Sequence, residues 1–164
     1  MSTEDSIKPS YLGLLNAISL AETNAGCYLR AWAAVTPDAE LKRALSLVAA
    51  RETTHGEVFR QRIERLGFSL LEKEDPALAE RLCVLGDPAL GDAEKIRRRR
   101  SEVSDADTDR FLVSIDERVA DESVDQLTRD TLRWYVHEER DSRALLRAAY
   151  DRIARRTSCA TRSR

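Results

Sequence analysis

The sequence contains little of what builds sheets, crosses membranes or binds metals through sulfur. Of its 164 residues only 6 are glycine, 4 are proline and 5% are aromatic, whereas 42% are hydrophobic and 34% are charged. This composition, rich in Ala, Leu, Arg and Glu, favours an all-helical protein. No apolar run approaches the ~20 residues of a membrane-spanning helix, which argues against a membrane partner. The formal net charge of −2 indicates no particular partner.

The cysteines are few and isolated. Cys27, Cys83 and Cys159 form no Cys-x-x-Cys pair, so a zinc or rubredoxin-type iron centre is excluded. Free thiols in a reducing compartment are the simplest interpretation. The first six residues also lack the basic and apolar regions of a signal peptide, and we therefore expect the cytoplasm.

The length of the chain and the positions of its capping residues predict one helical domain. A chain of this length supports one sizeable core, so we expect a single domain over 1–164, with loose tails at about 1–8 and 156–164. Capping residues and apolar periodicity predict four long helices. Their bounds are Ser10 (cap) to about Val35, Thr36 (cap) to Gly67, Asp105–Asp121, and Ser123–Asp125 to about Arg155.

The stretch 68–104 is predicted to be a long, partly helical link. Two short helices, Ala77–Leu85 and Ala93–Arg100, lie between its Gly and Pro breaks, and such a link crosses a helix bundle from one end to the other. Arg97, Arg98, Arg99 and Arg100 form the one basic run. We interpret it as a solvated helix end, because acidic residues flank it and no aromatic residues are interleaved to stack bases. Nucleic-acid binding is a minor alternative.

Two polar residues interrupt the apolar stripe of the second long helix. Glu52 and His55 fall where Leu or Val would be expected, one turn apart on the same face. A buried carboxylate and imidazole are costly unless something neutralises or coordinates them. Glu-x-x-His is the spacing of carboxylate metal sites inside helix bundles. Glu22 interrupts the first helix in the same way, and folding back at Pro37 brings it level with Glu52.

Residues 11–67 resemble the first half of a ferritin-like (rubrerythrin-like) domain. The resemblance lies in Leu-Ala-Glu22 with Tyr28 six residues on, the Pro-Asp turn, Arg-Glu-Thr-Thr-His55 and the closing Leu66-Gly67. The same half is similar to the encapsulated ferritins, in which two chains pair. The resemblance implies a ferritin-like four-helix bundle, iron as cofactor (manganese or zinc in its place), and a homodimer. Four apolar stripes and two short hairpin turns predict that the helices run up-down-up-down.

The second half carries a weaker version of this motif. Glu139 matches the Glu of a second Glu-x-x-His by phase, but Ser142 replaces the His, and serine is a poor ligand for iron(II). On the third helix Asp105 and Asp109 are level with Glu139 but lie at the edge of the stripe. Glu122 is too near the turn, and His137 lies on the opposite face of its helix and is predicted to be a surface residue.

Two hypotheses follow. In the first, Glu22, Glu52, His55 and Glu139 bind metal, with at most weak ferroxidase or peroxide-linked activity. In the second, the site has lost its metal, and a buried hydrogen-bonded cluster remains in a bundle that serves as an interaction or structural module. Metal identity, substrate and electron donor are left open by the sequence.

Overall fold

The protein is all-helical, as its composition predicts. The computed structural model describes residues 8–102 and 104–162, with side chains up to residue 156. These ranges contain six helices and no strand. The helices are α1 (Leu12–Val35), α2 (Ala39–Arg65), α3 (Leu78–Gly86), α4 (Asp92–Glu102), α5 (Asp105–Ala120) and α6 (Gln126–Arg162). None of them is both long and apolar enough to cross a membrane.

Three predicted helix ends are wrong. The cap of α2 is Asp38, whose carboxylate accepts a hydrogen bond from the Leu41 amide, and not Thr36. The Thr36 hydroxyl instead donates to Asp92 at the start of α4. Tyr11, without a capping side chain, precedes α1 in place of Ser10. The last helix also continues to Arg162, through most of the predicted tail.

Helices α1 and α2 form an antiparallel hairpin with two glycines at its contact. A Cβ atom on Gly26 would lie 2.4 Å from Thr53 Oγ1, and one on Gly56 would lie 2.4 Å from Thr23 Oγ1. The Ser19 hydroxyl donates to the Gly56 carbonyl oxygen at 2.7 Å. Two helices approach this closely only where small residues face each other, so the glycines set the spacing of the hairpin.

Helix α6 runs antiparallel to α2 and parallel to α1. Tyr11 donates to Asp125 near the start of α6, and Tyr135, further along, donates to Glu22. Helix α5 is antiparallel to α6, because Asp116 pairs with Arg140 and Asp109 with Arg143.

The predicted up-down-up-down order is therefore wrong, and α5 points the same way as α2. The link between them explains the difference. A segment that crosses from one end of the helices to the other returns the chain to its starting end, so the helices it joins are parallel. The sequence predicts that the link crosses the bundle, and a crossing link requires the two helices that it joins to be parallel.

The core is divided into two apolar clusters, one at each end of the long helices. In the first cluster, α1, α2, α5 and α6 supply fully buried side chains that include Leu15, Phe59, Ile115 and Leu132. In the second, α3 and α4 take the place of α5, and the buried side chains include Trp32, Leu45, Leu85 and Ile96. The link thus completes the core at the end where α5 does not reach.

Each arginine of the basic run is paired with a carboxylate. Arg97 and Arg98 both pair with Glu94. Arg99 pairs with Glu102, and Arg100 with Asp151 of α6. These partners offset the positive charge that a nucleic-acid contact would need, in keeping with a solvated helix end.

Replacing Gly56 by alanine should destabilise the protein. The new methyl group would meet Thr23 Oγ1 at 2.4 Å and the Ser19 carbonyl oxygen at 3.1 Å, so the hairpin must open. We expect a loss of about 1–3 kcal/mol in the free energy of unfolding, measured by urea denaturation. Gly13→Ala is the control, because nothing lies within 4 Å of its Cβ position and alanine favours a helix. Equal losses from both changes would contradict this account of the contact.

Candidate metal centre

The four predicted ligand residues converge at one point. Glu22 of α1, Glu52 and His55 of α2, and Glu139 of α6 each offer a ligand atom, and these atoms all lie within 4.8 Å of one another. The group lies between the two apolar clusters, with Ile18 and Phe59 on one side and Val48 on the other. Three helices therefore fix the site, and each brings its residue there by the phase of its apolar stripe.

The site is almost closed to solvent. Glu22, Glu52 and His55 are 6%, 5% and 0% exposed. The side chain of Glu139 is 13% exposed. At such burial an unneutralised carboxylate is expensive, so the charges of this group must be balanced locally.

His55 presents its Nδ1 atom to the carboxylates. Nδ1 lies 3.2 Å from Glu22 Oε2 and 3.8 Å from Glu139 Oε1. The rings of Trp134 and Tyr135 meet the imidazole edge to face, with centroids 5.0 and 5.2 Å away, and hold its plane. Nδ1 is therefore the ring nitrogen that is placed to bind the same metal ion as the carboxylates.

Tyr135 also belongs to the site, although the sequence patterns do not single it out. Its hydroxyl donates to Glu22 Oε1 at 2.9 Å. Tyr135 precedes Glu139 by one turn on the same stripe, so this spacing was a signal that could have found it. The hydrogen bond fixes the orientation of Glu22 and leaves Oε2 facing His55.

The carboxylates repel one another strongly. Burial, and then the proximity of Glu22 and Glu139, raises the pKa of Glu52 far above its ordinary value. Burial and Glu22 also raise the pKa of Glu139, while His55 opposes the rise. The cluster accordingly holds protons, or another positive charge, at neutral pH.

Ser142, in place of a second imidazole, is engaged with Arg51. Ser142 is 1% exposed and accepts a hydrogen bond from Arg51 Nη1 at 3.3 Å. The same guanidinium pairs with Glu138 and Asp141. A fixed positive charge therefore stands beside the position where a second imidazole would be. Arg51 was not identified from the sequence, because its phase places it beside the stripe.

Helix α5 contributes no metal ligand. The prediction that Asp105 and Asp109 lie level with Glu139 is wrong. The pairs of Asp116 with Arg140 and Asp109 with Arg143 place Glu139 level with residues near Ile115. Ile115 and Leu112 are buried there. Asp105 and Asp109 are exposed.

The remaining two candidates stay outside the site as well. Glu122 is exposed at the α5–α6 turn. His137 is exposed on α6, as predicted. Within the described residues, the ligand set is therefore limited to three carboxylates and one imidazole.

The donor set fits one divalent metal ion. Two ligand atoms on opposite sides of an ion, each about 2.2 Å from it, are about 4.4 Å apart. The separation of 4.8 Å or less thus needs adjustments of a few tenths of an ångström. Glu139 Oε1 is buried without a hydrogen-bond partner among the described residues, as is His55 Nε2. A buried polar atom without a partner needs an explanation, and a bound ion is one of them.

Comparison with protein-family models, with curated proteins and with solved structures gives no significant match.

Replacing Glu52 by glutamine should not destabilise the metal-free protein. The amide keeps the volume of the side chain, cannot ionise and donates to a neighbouring carboxylate. We expect the free energy of unfolding in the presence of chelator to stay equal or to rise by up to about 1 kcal/mol. Glu57→Gln on the exposed side of α2 is the control and should change it by less than about 0.5 kcal/mol. A clear loss in Glu52→Gln alone would show that the carboxylate is satisfied without metal.

Proposed function

We propose that the chain is a ferritin-like metal-binding protein that holds one divalent ion with Glu22, Glu52, His55 and Glu139. The observation that carries this proposal is the convergence of four ligand atoms within 4.8 Å in a buried site. The unpaired Oε1 atom of Glu139 adds to it. The metal-binding hypothesis is preferred to the metal-free cluster because one divalent ion would both contact that atom and balance the three buried carboxylates.

Iron(II) is the proposed ion, with manganese(II) or zinc(II) as substitutes. Carboxylate oxygens with one imidazole suit iron and manganese better than softer metals. A bound iron supplies one-electron redox chemistry and Lewis acidity. The chain itself supplies three anionic ligands, and Tyr135 holds Glu22 in position at 2.9 Å.

One ion per chain is proposed instead of two. A second ion would need an imidazole at Ser142 and a carboxylate from α5. Ser142 instead accepts a hydrogen bond from the cationic Arg51, and Ile115 and Leu112 line α5 at that level. Ferroxidase activity is therefore expected to be weak or absent, since a pair of irons can supply two electrons to oxygen and a single iron only one.

The arrangement of the long helices supports the ferritin-like proposal. Two antiparallel hairpins, α1–α2 and α5–α6, are joined by a link that crosses their length. The resemblance to encapsulated ferritins also implied a homodimer, and this stays a prediction. Glu139 of the same chain completes the ligand set, so the proposed site needs no residue from a second copy.

Removing the imidazole should abolish metal binding. His55→Ala deletes one of four ligands from the centre of the site, and we expect at least a hundredfold loss of affinity for iron(II) in anaerobic calorimetry. His137→Ala removes the other histidine of the chain, which is exposed on α6, and should leave the affinity unchanged.

Equal losses from the two histidine variants would reject the assigned site. Failure of the unaltered chain to bind iron, manganese or zinc would favour the second hypothesis, a metal-free bundle that acts as an interaction or structural module.

The unaltered protein should bind about one iron per chain under anaerobic titration. Ser142→His with Ile115→Glu supplies the imidazole and the α5 carboxylate that the second half lacks, and should raise the number of irons toward two. Asp109→Glu, at an exposed position that pairs with Arg143, should not substitute for Ile115→Glu. Two irons per chain in the unaltered protein, with rapid oxidation, would contradict the one-ion proposal.

A further inference from the structure

A large cavity opens from the carboxylate cluster toward the basic run. Its volume is about 730 Å³, within the range of small-molecule sites. Glu22, Glu52 and Glu139 line one end, and Arg99, Arg143 and Arg147 line the other part. The start of α5 lines the cavity too, through Ser104, Asp105 and Thr108.

The wall between the two ends is mostly apolar. Ala25 and Leu29 of α1, Val48 of α2 and Leu146 of α6 line it. On α6 the lining extends from Glu139 to Asp151, which is about 18 Å along the helix at ~1.5 Å per residue. The space is therefore long enough for an extended organic molecule.

Tyr28 and Tyr150 form a rigid aromatic part of this wall. The Arg99 guanidinium lies over the Tyr28 ring, 4.9 Å from its centroid. Tyr150 stacks on the buried Trp32 with ring centroids 5.5 Å apart. Both rings are thus fixed by neighbours, and the cavity wall is formed before any ligand arrives.

Arg99 is placed to bind an anion. Its side chain is 22% exposed, and Nη1 donates to Glu102 at 3.1 Å while Nη2 donates to the Tyr28 hydroxyl at 3.3 Å. A guanidinium has five N–H donors, so three of them have no partner among the described residues. Its carboxylate partner Glu102 is also shared with Arg81.

The other arginines of the cavity are either more fully paired or more exposed. Arg143 pairs with both Asp105 and Asp109. Arg100 and Arg147 each pair with one carboxylate, but their side chains are 48% and 54% exposed, so water reaches them. Arg99 is therefore the mostly buried arginine of the cavity that has only one carboxylate partner.

We propose that this cavity binds an organic monocarboxylate, with its carboxylate on Arg99 and its apolar body along Leu29 and Leu146 toward the metal-binding cluster. A dicarboxylate would place its second charge among Glu22, Glu52 and Glu139. An amine would find anionic partners there only while the cluster holds no metal, and with a metal bound it would bring a cation to Arg99 or to the ion. The ligand class follows from the opposite charges at the two ends and the apolar wall between them. A role of this monocarboxylate as a substrate rests on the proposed function, but the proposal that the cavity binds it does not.

Octanoate is the probe, titrated by calorimetry into the full chain after chelator treatment and again after loading with manganese(II). We expect saturable binding in both forms, with one octanoate per chain. Octanedioate should bind at least tenfold more weakly to the chelator-treated protein, and octylamine at least tenfold more weakly to the manganese-loaded protein. Octanoate that fails to bind either form, or binds the manganese-loaded form no better than octylamine, would overturn the inference.

Two variants and their controls locate the ligand. Arg99→Gln should weaken octanoate binding by about ten- to a hundredfold, the loss expected for a charge-assisted pair. Arg97→Gln, in the same run but outside the cavity lining, should leave it within about twofold. Ala25→Leu should block the cavity without changing charge, whereas Ala50→Leu on the exposed face of α2 should not. Circular dichroism checks that each variant is folded.

Unchanged octanoate affinity in folded Arg99→Gln would overturn the inference by itself, whatever the result with Ala25→Leu. The outcome is separable from metal binding. A protein that takes up manganese but not octanoate refutes only the cavity ligand, and one that binds octanoate but no metal refutes only the proposed metal centre.

Discussion

Three carboxylates and one imidazole are buried together at the junction of two apolar cores. Burying these charged groups costs free energy, and the surrounding structure must offset it. Isolated charges of this kind would neutralise or unfold the region, because solvent cannot screen them. The protein supplies one hydrogen bond from Tyr135 and one contact from His55, both to Glu22. Glu139 Oε1 has no such partner among the described residues. A divalent cation would supply the missing positive charge.

The asymmetry of the two hairpins determines what such a site can do. The α1–α2 hairpin is held close by Gly26 and Gly56 and supplies three of the four ligands. The α5–α6 hairpin supplies only Glu139, and at the level of Glu139 helix α5 carries the buried, apolar Ile115. Ser142, which replaces the second imidazole, also lines the cavity beside the cluster.

Periodicity was enough to predict Glu22, Glu52 and His55, because each is a polar residue inside an apolar stripe and the hairpin turn sets their common level. Glu139 was predicted only from its position on the apolar stripe of the last helix. The direction of α5 was missed because it depends on the link, whose path no local pattern describes. The predicted position of Glu139 relative to α5 was also wrong, because the register of the two helices is set by the ion pairs of α5 with Arg140 and Arg143. Tyr135 and Arg51 act through contacts between helices, which single-helix patterns do not contain.

The most direct test of the central claim is anomalous diffraction from crystals of the full chain grown with manganese(II) and without chelator. The account predicts one anomalous peak per chain, within bonding distance of Glu22, Glu52, His55 Nδ1 and Glu139. A peak elsewhere, two peaks in the cluster, or none under conditions where manganese is in excess would contradict it.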